Sequence, residues 1–520
     1  MKNSKKSLLT ATLLSTAAIL AQDAASKPQS LPSPVRYEDF GAKGDGKTDD
    51  HKAIIAAHDY ANVHHLPVKA DDNAVYYIGD TDASAIVKTN VDFGKAKFII
   101  DDSKVSADRR NKAVFQVLPE KEKYEIDLKG PIKTGQKNIG KTFPGKTMII
   151  LINDKAKHFI RYGANQNKGD KATDCFLVDE KGNVDPTTPI VWDFENITTA
   201  TAYPLDDKPI TLQGGHFTTI ANQAPSKYTY YSRGIQVFRP NTIIRNVTHL
   251  VTGEGDHGAP YRGFYRVNDC ANVVIQDCIV TGHRTYRTIG SAGRPVSMGT
   301  YDLSANRSIN VAFINLKQSN SIMDSRCWGV LATNYCKNLL YENCTVSRFD
   351  AHCGVCNATI RNSEMGHAGI NLIGFGTFLL ENSKINGRFM LNLRSDYGSF
   401  WRGNFIIRNC TYVSRNPEEI FLIGGNNSGK HNFGYECKMP TNITIDGLVI
   451  DDKNINNPKY QGPCVFANFN KDFNAKYKED FPYIRPKQVT VKNVKTTSGK
   501  PLRLANDLLF FQNTKFQTLP

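Results

Sequence analysis

A short sequence unit recurs through the second half of the chain and constrains what it can fold into. Each copy is a β-branched or aromatic strand with alternating polar positions, closed by an asparagine that tolerates a turn conformation. The marker asparagines of four consecutive copies are Asn343, Asn362, Asn382 and Asn409. They recur at intervals of about 20 residues, a period typical of solenoids. A unit this short cannot bury its apolar face alone, so the copies are expected to stack.

The same signature continues on both sides of these copies at longer and irregular intervals. Its markers there are Asn246, Asp277, Asn315, Asp446 and Asn493. Longer intervals indicate loops that leave the sides of a stack without disturbing its core. We therefore predict an all-β chain that forms a right-handed parallel β-helix with inserted β-rich loops.

The stretch Asp39-Phe-Gly-Ala-Lys-Gly-Asp-Gly-Lys-Thr-Asp-Asp50 is the most specific local motif. Its last three residues suit the N-cap and first turn of a helix, and apolar residues follow at helical spacing. The motif resembles the opening of the pectate-lyase-like β-helix superfamily, in which this helix caps the open end of the solenoid. The superfamily contains lyases, hydrolases, epimerases and phage tailspikes. The resemblance therefore implies a fold and a carbohydrate setting, and not one reaction.

The order of segments predicts four regions. Residues 1–21 combine three lysines with an apolar run and read as a signal peptide, which predicts secretion to the periplasm, cell surface or exterior. Residues 22–102 form the cap and first coils, and residues 103–190 a β-rich excursion. Residues 191–520 form the β-helix with its substrate groove. We expect a monomer with no membrane span.

The net charge indicates the kind of partner, and the positions of the cysteines indicate whether they form disulfides. The net charge of +15 favours an anionic partner, and no nucleic-acid-binding motif is present. Cys278, Cys344 and Cys410 each directly follow a marker, which predicts an inward column of free thiols rather than disulfides. Cys353 and Cys356 form a lone CxxC pair, which is weak support for a metal or redox site.

Polar residues recur five or six positions beyond successive markers. Stacking places equal offsets above one another, so these residues are expected to line one edge of the solenoid. They are His283, Asn320, Arg348, His367, Arg388 and Arg415. Neighbouring segments add Arg284, Arg287, Arg294, His352, Asn371, Asn392, Arg394 and Tyr397. Together they predict a groove that binds an acidic polysaccharide.

The chemistry that suits such a groove is β-elimination from a uronate. The C5 proton is poorly acidic, so a catalyst must neutralise the carboxylate, supply a base and protonate the leaving oxygen. Arg348 and Arg388 are candidate neutralising groups, His367 or His352 the base, and Tyr397 the acid. Calcium is a possible cofactor that would replace the neutralising group, with metal ligands unknown.

We therefore predict a secreted bacterial polysaccharide lyase. A glycosaminoglycan such as chondroitin or hyaluronan is favoured over pectin for two reasons. The sequence shows no clear cluster of acidic residues on neighbouring coils, which the calcium-dependent pectate lyases of this fold would need, and the many arginines and lysines would suit a sulfated chain. One alternative is a β-helix glycoside hydrolase that uses paired carboxylates. The candidates for that pair are Asp302, Asp350, Glu364 and Asp396. Another alternative is a surface module that binds glycan without catalysis.

Overall fold

The computed structural model describes residues 34–227, 229–329 and 331–519. The predicted signal peptide lies outside these residues. Among these residues, 30 strands are joined by parallel pairings into one continuous sheet. This sheet winds around the core and forms the three faces of the solenoid. The strands wind as a right-handed parallel β-helix, which confirms the predicted fold class.

The N-terminal part of the described chain contains a helix, His51–His64, set among short strands. The strands of the N-terminal part are Asp45–Asp49, Val68–Lys69, Val75–Ile78, Ala85–Val87, Val91–Asp101 and Phe115–Val117. A separate antiparallel sheet contains Tyr124–Glu125, Thr147–His158, Asp170–Val178 and Thr199–Pro204.

The remaining strands form the coils and one hairpin. They are Ile210–Ile220, Ile235–Val237, Thr242–Arg245, Thr248–Thr252, Arg262–Asn268, Ala271–Gln276, Ile279–Val280, Tyr286–Ile289, Pro295–Met298, Tyr301–Asn306, Ile309–Ile314, Lys317–Gln318, Leu331–Glu342, Thr345–Val346, Phe349–Arg361, Glu364–Met365, Ile370–Leu372, Gly374–Glu381, Lys384–Gly387, Leu391–Leu393, Trp401–Ser414, Phe421–Gly424, Asn442–Asp451, Cys464–Phe466, Gln488–Thr496 and Lys515–Leu519.

Each coil contributes to three faces, which we call the first, second and third sheets. The first sheet contains the strands that end at a marker, such as Thr242–Arg245 above Ala271–Gln276. The second sheet follows the marker, as in Thr345–Val346 and Glu364–Met365. The third sheet closes the coil, as in Ile370–Leu372 above Leu391–Leu393. Inward residues of all three faces build one continuous core.

All the marker residues except Asp446 lie in the left-handed backbone region, which is the turn conformation predicted for them. Asn343 and Asn362 have φ of 54° and 50°, and Asn409 has 49°. Asparagine tolerates this conformation better than most residues. Asp446 is an exception, since Gly447 takes the left-handed position with φ of 76°. Glycine meets the same requirement, so the turn moves one residue along the chain.

A second asparagine ladder, not predicted from the sequence, precedes the first sheet. Its members are Asn241, Asn272, Asn310, Asn338 and Asn357, all with positive φ. The side-chain amides of the last four donate to the side-chain carbonyl of the preceding member, one coil earlier, at 2.9 to 3.2 Å. These bonds satisfy the amides and hold consecutive coils in register.

All eleven cysteines are free and buried. Cys278 and Cys344 are fully buried and Cys410 is 2% exposed, which agrees with the predicted inward column. Burial raises the pKa of the Cys344 thiol to about 12, so it stays protonated. These thiols fill space in the core as small apolar groups.

The helix His51–His64 covers the first coil through the buried residues Ile54, Ala57 and Ala61. Asp50 is its N-cap by position, but its carboxylate makes no capping bond to the helix. That carboxylate instead accepts hydrogen bonds from the backbone N–H groups of Lys43 and Gly44, at 2.6 and 3.1 Å. The acidic residue therefore holds the glycine-rich loop against the cap.

The antiparallel sheet packs on the outside of the coils. Its residues Ile150 and Leu177 share a small apolar cluster with Ala271 and Ile309 of the first sheet. A buried ion pair of 2.7 Å joins Lys337 of a coil to Asp174, and both side chains are 2% exposed. The excursion is thus joined to the solenoid at defined points.

Candidate functional site

The outer face of the third sheet carries a row of polar residues. Asp350, Asn371 and Asn392 lie at paired positions on successive strands. Their neighbours Ile370 and Leu372 are buried in the core, so alternation turns the polar residues outward. The Asn392 amide donates to Asn371 Oδ1 at 2.9 Å.

Around this row lies a network of three arginines and two aspartates. Asp350 is fully buried and accepts from Arg348 at 3.0 Å and from Arg394 at 2.8 and 3.0 Å. Arg394 also donates to Asp396 at 2.8 Å, and Asp396 accepts from Arg161 at 3.0 Å. The network carries one more positive than negative charge. It therefore favours an anion beside it.

The aspartates of this network remain ionised. Burial alone would raise the pKa of Asp350, but the Arg348 and Arg394 cations hold it below its usual value. Burial alone would also raise the pKa of Asp396, but Arg394 and Arg161 hold that pKa well below the usual range. At neutral pH neither carboxyl group carries a proton.

Arg348 makes only part of its possible hydrogen bonds. Its guanidinium stacks on the ring of Trp328, 4.6 Å from the ring centroid. Its Nη2 bonds to Asp350, while its buried Nε and Nη1 have no partner among the described residues. A guanidinium with unused donors is suited to recognise a carboxylate or sulfate.

Beside the network, His352 and Tyr397 form a hydrogen-bonded pair. Tyr397 Oη lies 3.3 Å from His352 Nε2, and His352 Nδ1 lies 3.1 Å from Asn334 Oδ1. His352 Nδ1 also lies 3.3 Å from the Cys353 thiol. An amide oxygen only accepts, so the contact with Asn334 Oδ1 favours the ring proton on Nδ1. In that tautomer the Nε2 lone pair accepts the hydrogen bond from the Tyr397 hydroxyl.

The electrostatics of the pair keep both groups neutral. Burial and the nearby Arg394 cation lower the pKa of His352 to about 3. Burial raises the pKa of Tyr397 well above its usual value. Arg161 and Arg394 lie over the Tyr397 ring, 5.1 and 5.2 Å from its centroid. His352 is partly exposed, whereas Tyr397 is buried. Of the two, His352 is therefore the group that a ligand can reach.

Of the residues predicted for the groove, the structure brings six together at this face. They are Arg348, His352, Asn371, Asn392, Arg394 and Tyr397. They come from three successive coils, with Arg348 in the turn before Asp350 and Tyr397 in a short 3-10 turn, Ser395–Tyr397. Arg394, the residue before this 3-10 turn, bonds to both Asp350 and Asp396. These bonds fix the start of the turn and thereby keep Tyr397 beside the network.

The other predicted column members lie in the turns between the second and third sheets. His367 Nε2 is 2.8 Å from the carbonyl of Cys327, and burial lowers the pKa of His367. Arg388 and Arg415 are exposed, with the Arg388 guanidinium 5.4 Å from the Phe389 ring centroid. Asn320 donates to the carbonyl of Gly282 at 2.7 Å. These residues share an edge but do not join the arginine network.

His283 belongs to a separate buried cluster. Its ring nitrogens lie 2.9 Å from Glu254 and 3.2 Å from Asp302, and Asp302 also bonds to His249 at 2.7 Å. Burial alone would lower its pKa, but the two carboxylates raise the pKa of His283 to about 9. With 1% exposure, this imidazolium is part of the interior and not of an open groove surface.

The predicted arginines of the insertion lie farther along the same side. Arg284 forms a 3.4 Å ion pair with Asp256. Arg287 and Arg294 are exposed in or beside the hairpin of Tyr286–Ile289 and Pro295–Met298. The hairpin tip meets the excursion, since Ala292 N–H donates to the Ala164 carbonyl at 3.3 Å. The two insertions therefore touch above the third sheet.

Sequence reasoning missed three residues of the site. Arg161 comes from the excursion and pairs with a residue 235 positions away, so no local pattern could predict it. Asn334 lies outside the predicted column because that column follows the other edge of the coil. Trp328 is one of three tryptophans in the chain, and its rarity beside a predicted coil was a usable signal.

The carboxylates considered for hydrolysis do not form one pair. Asp350 and Asp396 are joined through Arg394. Glu364 lies on the second sheet and pairs with Lys384 at 2.8 Å. Asp302 lies in the His249 and His283 cluster, and these histidines hold its pKa well below the usual range although burial alone would raise it.

Within the part of the chain that the structure describes, no group of three or more His, Cys, Asp or Glu side chains is arranged to hold a metal ion. Among the same residues, no helix has the length and apolar character needed to span a membrane.

Comparison with known proteins identifies the fold. The tailspike protein gp49 from Pseudomonas phage LKA1 is 14% identical over 93% of this chain and 84% of its own, with a TM-score of 0.51. The tailspike gp61 of Pseudomonas phage phi297 is 13% identical over 89% of this chain and 81% of its own, with a TM-score of 0.49. No protein-family model and no curated protein sequence matches. The chain thus shares the overall fold of the LKA1 tailspike gp49, a parallel β-helix.

Proposed function

We propose that this protein is a polysaccharide lyase that cleaves a uronate-containing glycan by β-elimination. One observation carries the proposal, namely a neutral, partly exposed His352 beside an arginine network with excess positive charge. Elimination needs both parts, a cationic site for the uronate carboxylate and an unprotonated base close to it.

The arginines would bind the carboxylate and stabilise the enolate-like state. Arg348 has unused donors, and Arg161 and Arg394 lie beside the His352–Tyr397 pair. Charge neutralisation by fixed guanidinium groups needs little reorganisation when negative charge develops, because the aspartates already hold them in place.

His352 would perform the proton transfer. When the substrate binds, it displaces the Tyr397 hydroxyl from His352 Nε2. Nε2 then takes the C5 proton, the C5–H electron pair becomes the C4–C5 double bond, and the C4–O bond breaks. The same Nε2 can then return the proton to the leaving oxygen, so His352 ends neutral. A bound carboxylate offsets the charge of Arg394, which raises the pKa of His352 toward the range of a useful base. Tyr397 is a positioning residue in this scheme, since its buried hydroxyl orients the imidazole.

A hydrolytic mechanism is less well supported by the same geometry. It needs one carboxyl group that is protonated and another that is not. Asp350 and Asp396 both have lowered pKa values, because both are paired with arginines. Neither suits the role of a general acid.

The substrate that we favour is a glycosaminoglycan such as chondroitin or hyaluronan. The basic character of the chain and the resemblance of its N-terminal motif to polysaccharide-active β-helix proteins support an acidic glycan. We also propose that the protein is secreted, as its N-terminal sequence predicts. A monomer remains our expectation.

The test is an ultraviolet assay for unsaturated uronate. The protein is incubated with chondroitin sulfate, hyaluronan, heparin, alginate and polygalacturonate, with calcium and with chelator. We expect absorbance to rise with at least one glycan, and His352→Ala and Arg394→Ala to lower the rate by about 100-fold or more. Tyr397→Phe should lower the rate less and shift its pH profile.

Matched controls separate chemistry from folding. His216 is exposed on the second sheet, so His216→Ala should keep the wild-type rate. Tyr412 is a buried tyrosine whose hydroxyl bonds to the Arg388 carbonyl at 2.9 Å, so Tyr412→Phe tests loss of a buried hydroxyl elsewhere. New reducing ends without absorbance would reject elimination in favour of hydrolysis. Retention on a glycan column without either signal would leave a binding module.

A further inference from the structure

A cavity lies directly beside the arginine network, with which it shares Asp396. This cleft has a volume of about 400 Å³ and lies between the excursion and two turns of the coils. The excursion supplies Tyr162 and the turn Gly163–Asn165, and the coils supply Asp396, Asn426 and His431. Its volume is in the range of small-molecule binding sites, which run from about 300 to 1,000 Å³.

The cleft is continuous with the proposed catalytic face because both share Asp396. The Asp396 carboxylate bonds to Arg161 and Arg394. The backbone carbonyl of Asp396 accepts a hydrogen bond from the Tyr162 N–H at 3.0 Å. A polymer held by the arginines can therefore extend into the cleft without leaving the surface.

The side chains of the cleft suit a sugar ring. Tyr162 is 59% exposed, and its ring centroid lies 5.2 Å from that of His431. His431 is held in place from the other side, with Nε2 3.2 Å from the Ile160 carbonyl. An exposed, positioned aromatic ring offers a flat surface for the C–H face of a pyranose. The exposed amide of Asn426 can donate to and accept from hydroxyl or acetamido groups.

The charge of the cleft differs from that of the network. None of the described residues that line it is a lysine or an arginine. Its carboxylate, Asp396, has its cations on the network side. A second uronate would find no guanidinium or ammonium donor among the described residues that line the cleft.

We propose that this cleft is a subsite for an uncharged sugar next to the uronate that the arginines bind. The inference rests on the proposed function and deepens it, because it assigns the substrate class as an alternating copolymer of uronate and neutral sugar. Polymers of uronate alone would place a carboxylate in the cleft. Tyr162 and Asn426 are the residues that determine this specificity.

The experiment compares binding of two probes by calorimetry with the full-length chain carrying His352→Ala, which prevents turnover. The probes are a hyaluronan octasaccharide and an oligogalacturonate of equal length. We expect tighter binding of the alternating probe, and Tyr162→Ala to weaken that binding about fivefold while leaving the oligogalacturonate unaffected. Tyr124→Ala is the matched control, because Tyr124 belongs to the same excursion as Tyr162, is 40% exposed and lies outside the cleft.

Each outcome decides the proposal. Equal affinity for the two probes, no binding of either, or equal weakening of both by Tyr162→Ala would overturn the neutral subsite. Selective binding that Tyr162→Ala removes, in a protein whose wild type forms no unsaturated product, would support the subsite and reject the lyase mechanism. The two proposals can therefore fail separately.

Discussion

Replacing Asp350 by asparagine tests whether the arginine network holds the site together. Asp350 is fully buried and pairs with two guanidinium groups that are 8% and 12% exposed. The change keeps the size of the side chain but leaves both cations without their shared anion. Removing one partner of a buried ion pair costs about 3–5 kcal/mol, and we expect Asp350→Asn to lower the free energy of unfolding by that amount.

The assay is urea unfolding followed by circular dichroism at pH 7 and at lower pH. The pKa of Asp350 is lower in the folded state than its usual value near 3.9, so its stabilisation is present above that value and is lost as pH falls through the folded pKa. The difference between wild type and Asp350→Asn should therefore be largest at pH 7 and shrink below about pH 4.

Two further variants complete this test. Asp207→Asn removes the partner of Lys121 at a surface pair in which Asp207 is 84% exposed, and it should cost less than about 1 kcal/mol. Adding Arg348→Met to Asp350→Asn should recover part of the loss, because one unpaired cation is removed. A cost for Asp350→Asn no larger than that for Asp207→Asn would refute the reasoning.

Two other predictions concern the interior of the solenoid. The pKa of His283 is about 9 and lies above its unfolded value near 6.5, so its stabilisation is full below pH 6.5 and is lost as pH rises toward 9. Thermal unfolding from pH 6 to 9.5 should show a decline for wild type that His283→Asn lacks, and parallel curves would contradict this. Asn343 has φ of 54°, so Asn343→Ala should cost about 1–2 kcal/mol in urea unfolding while Asn343→Gly costs less. Equal costs for the two variants would show that the left-handed backbone is not the reason for asparagine there.

The repeat made the fold predictable because the information it carries is local. Asn343 and Asn362 specify turns by their own backbone preference, and the apolar positions between them specify which face is buried. The cysteine column followed from the same register, since Cys344 directly succeeds a marker. The sequence pattern did not predict that Gly447, rather than Asp446, takes the left-handed conformation. Both residue types are common in turns, so only the backbone of the folded chain shows which one has positive φ.

The candidate site was predictable only in part, for a geometric reason. Residues at equal distances beyond successive markers lie on one edge of the stack. This rule correctly predicted that Arg348 lies beside the third sheet. They do not say which way a side chain turns, so Arg388 and Arg415 share that edge but extend into solvent. Side-chain direction depends on neighbours from other coils, and these are set by packing.

The sequence by itself determined the solenoid, its capping helix, its inward thiols and its basic character, because each depends on residues close together in the chain. Only the tertiary structure decided the arginine network, since Arg161 and Asp396 meet across 235 residues. It also decided that His352 is neutral and that His283 is charged, because each pKa is set by burial and by charged groups brought together through folding.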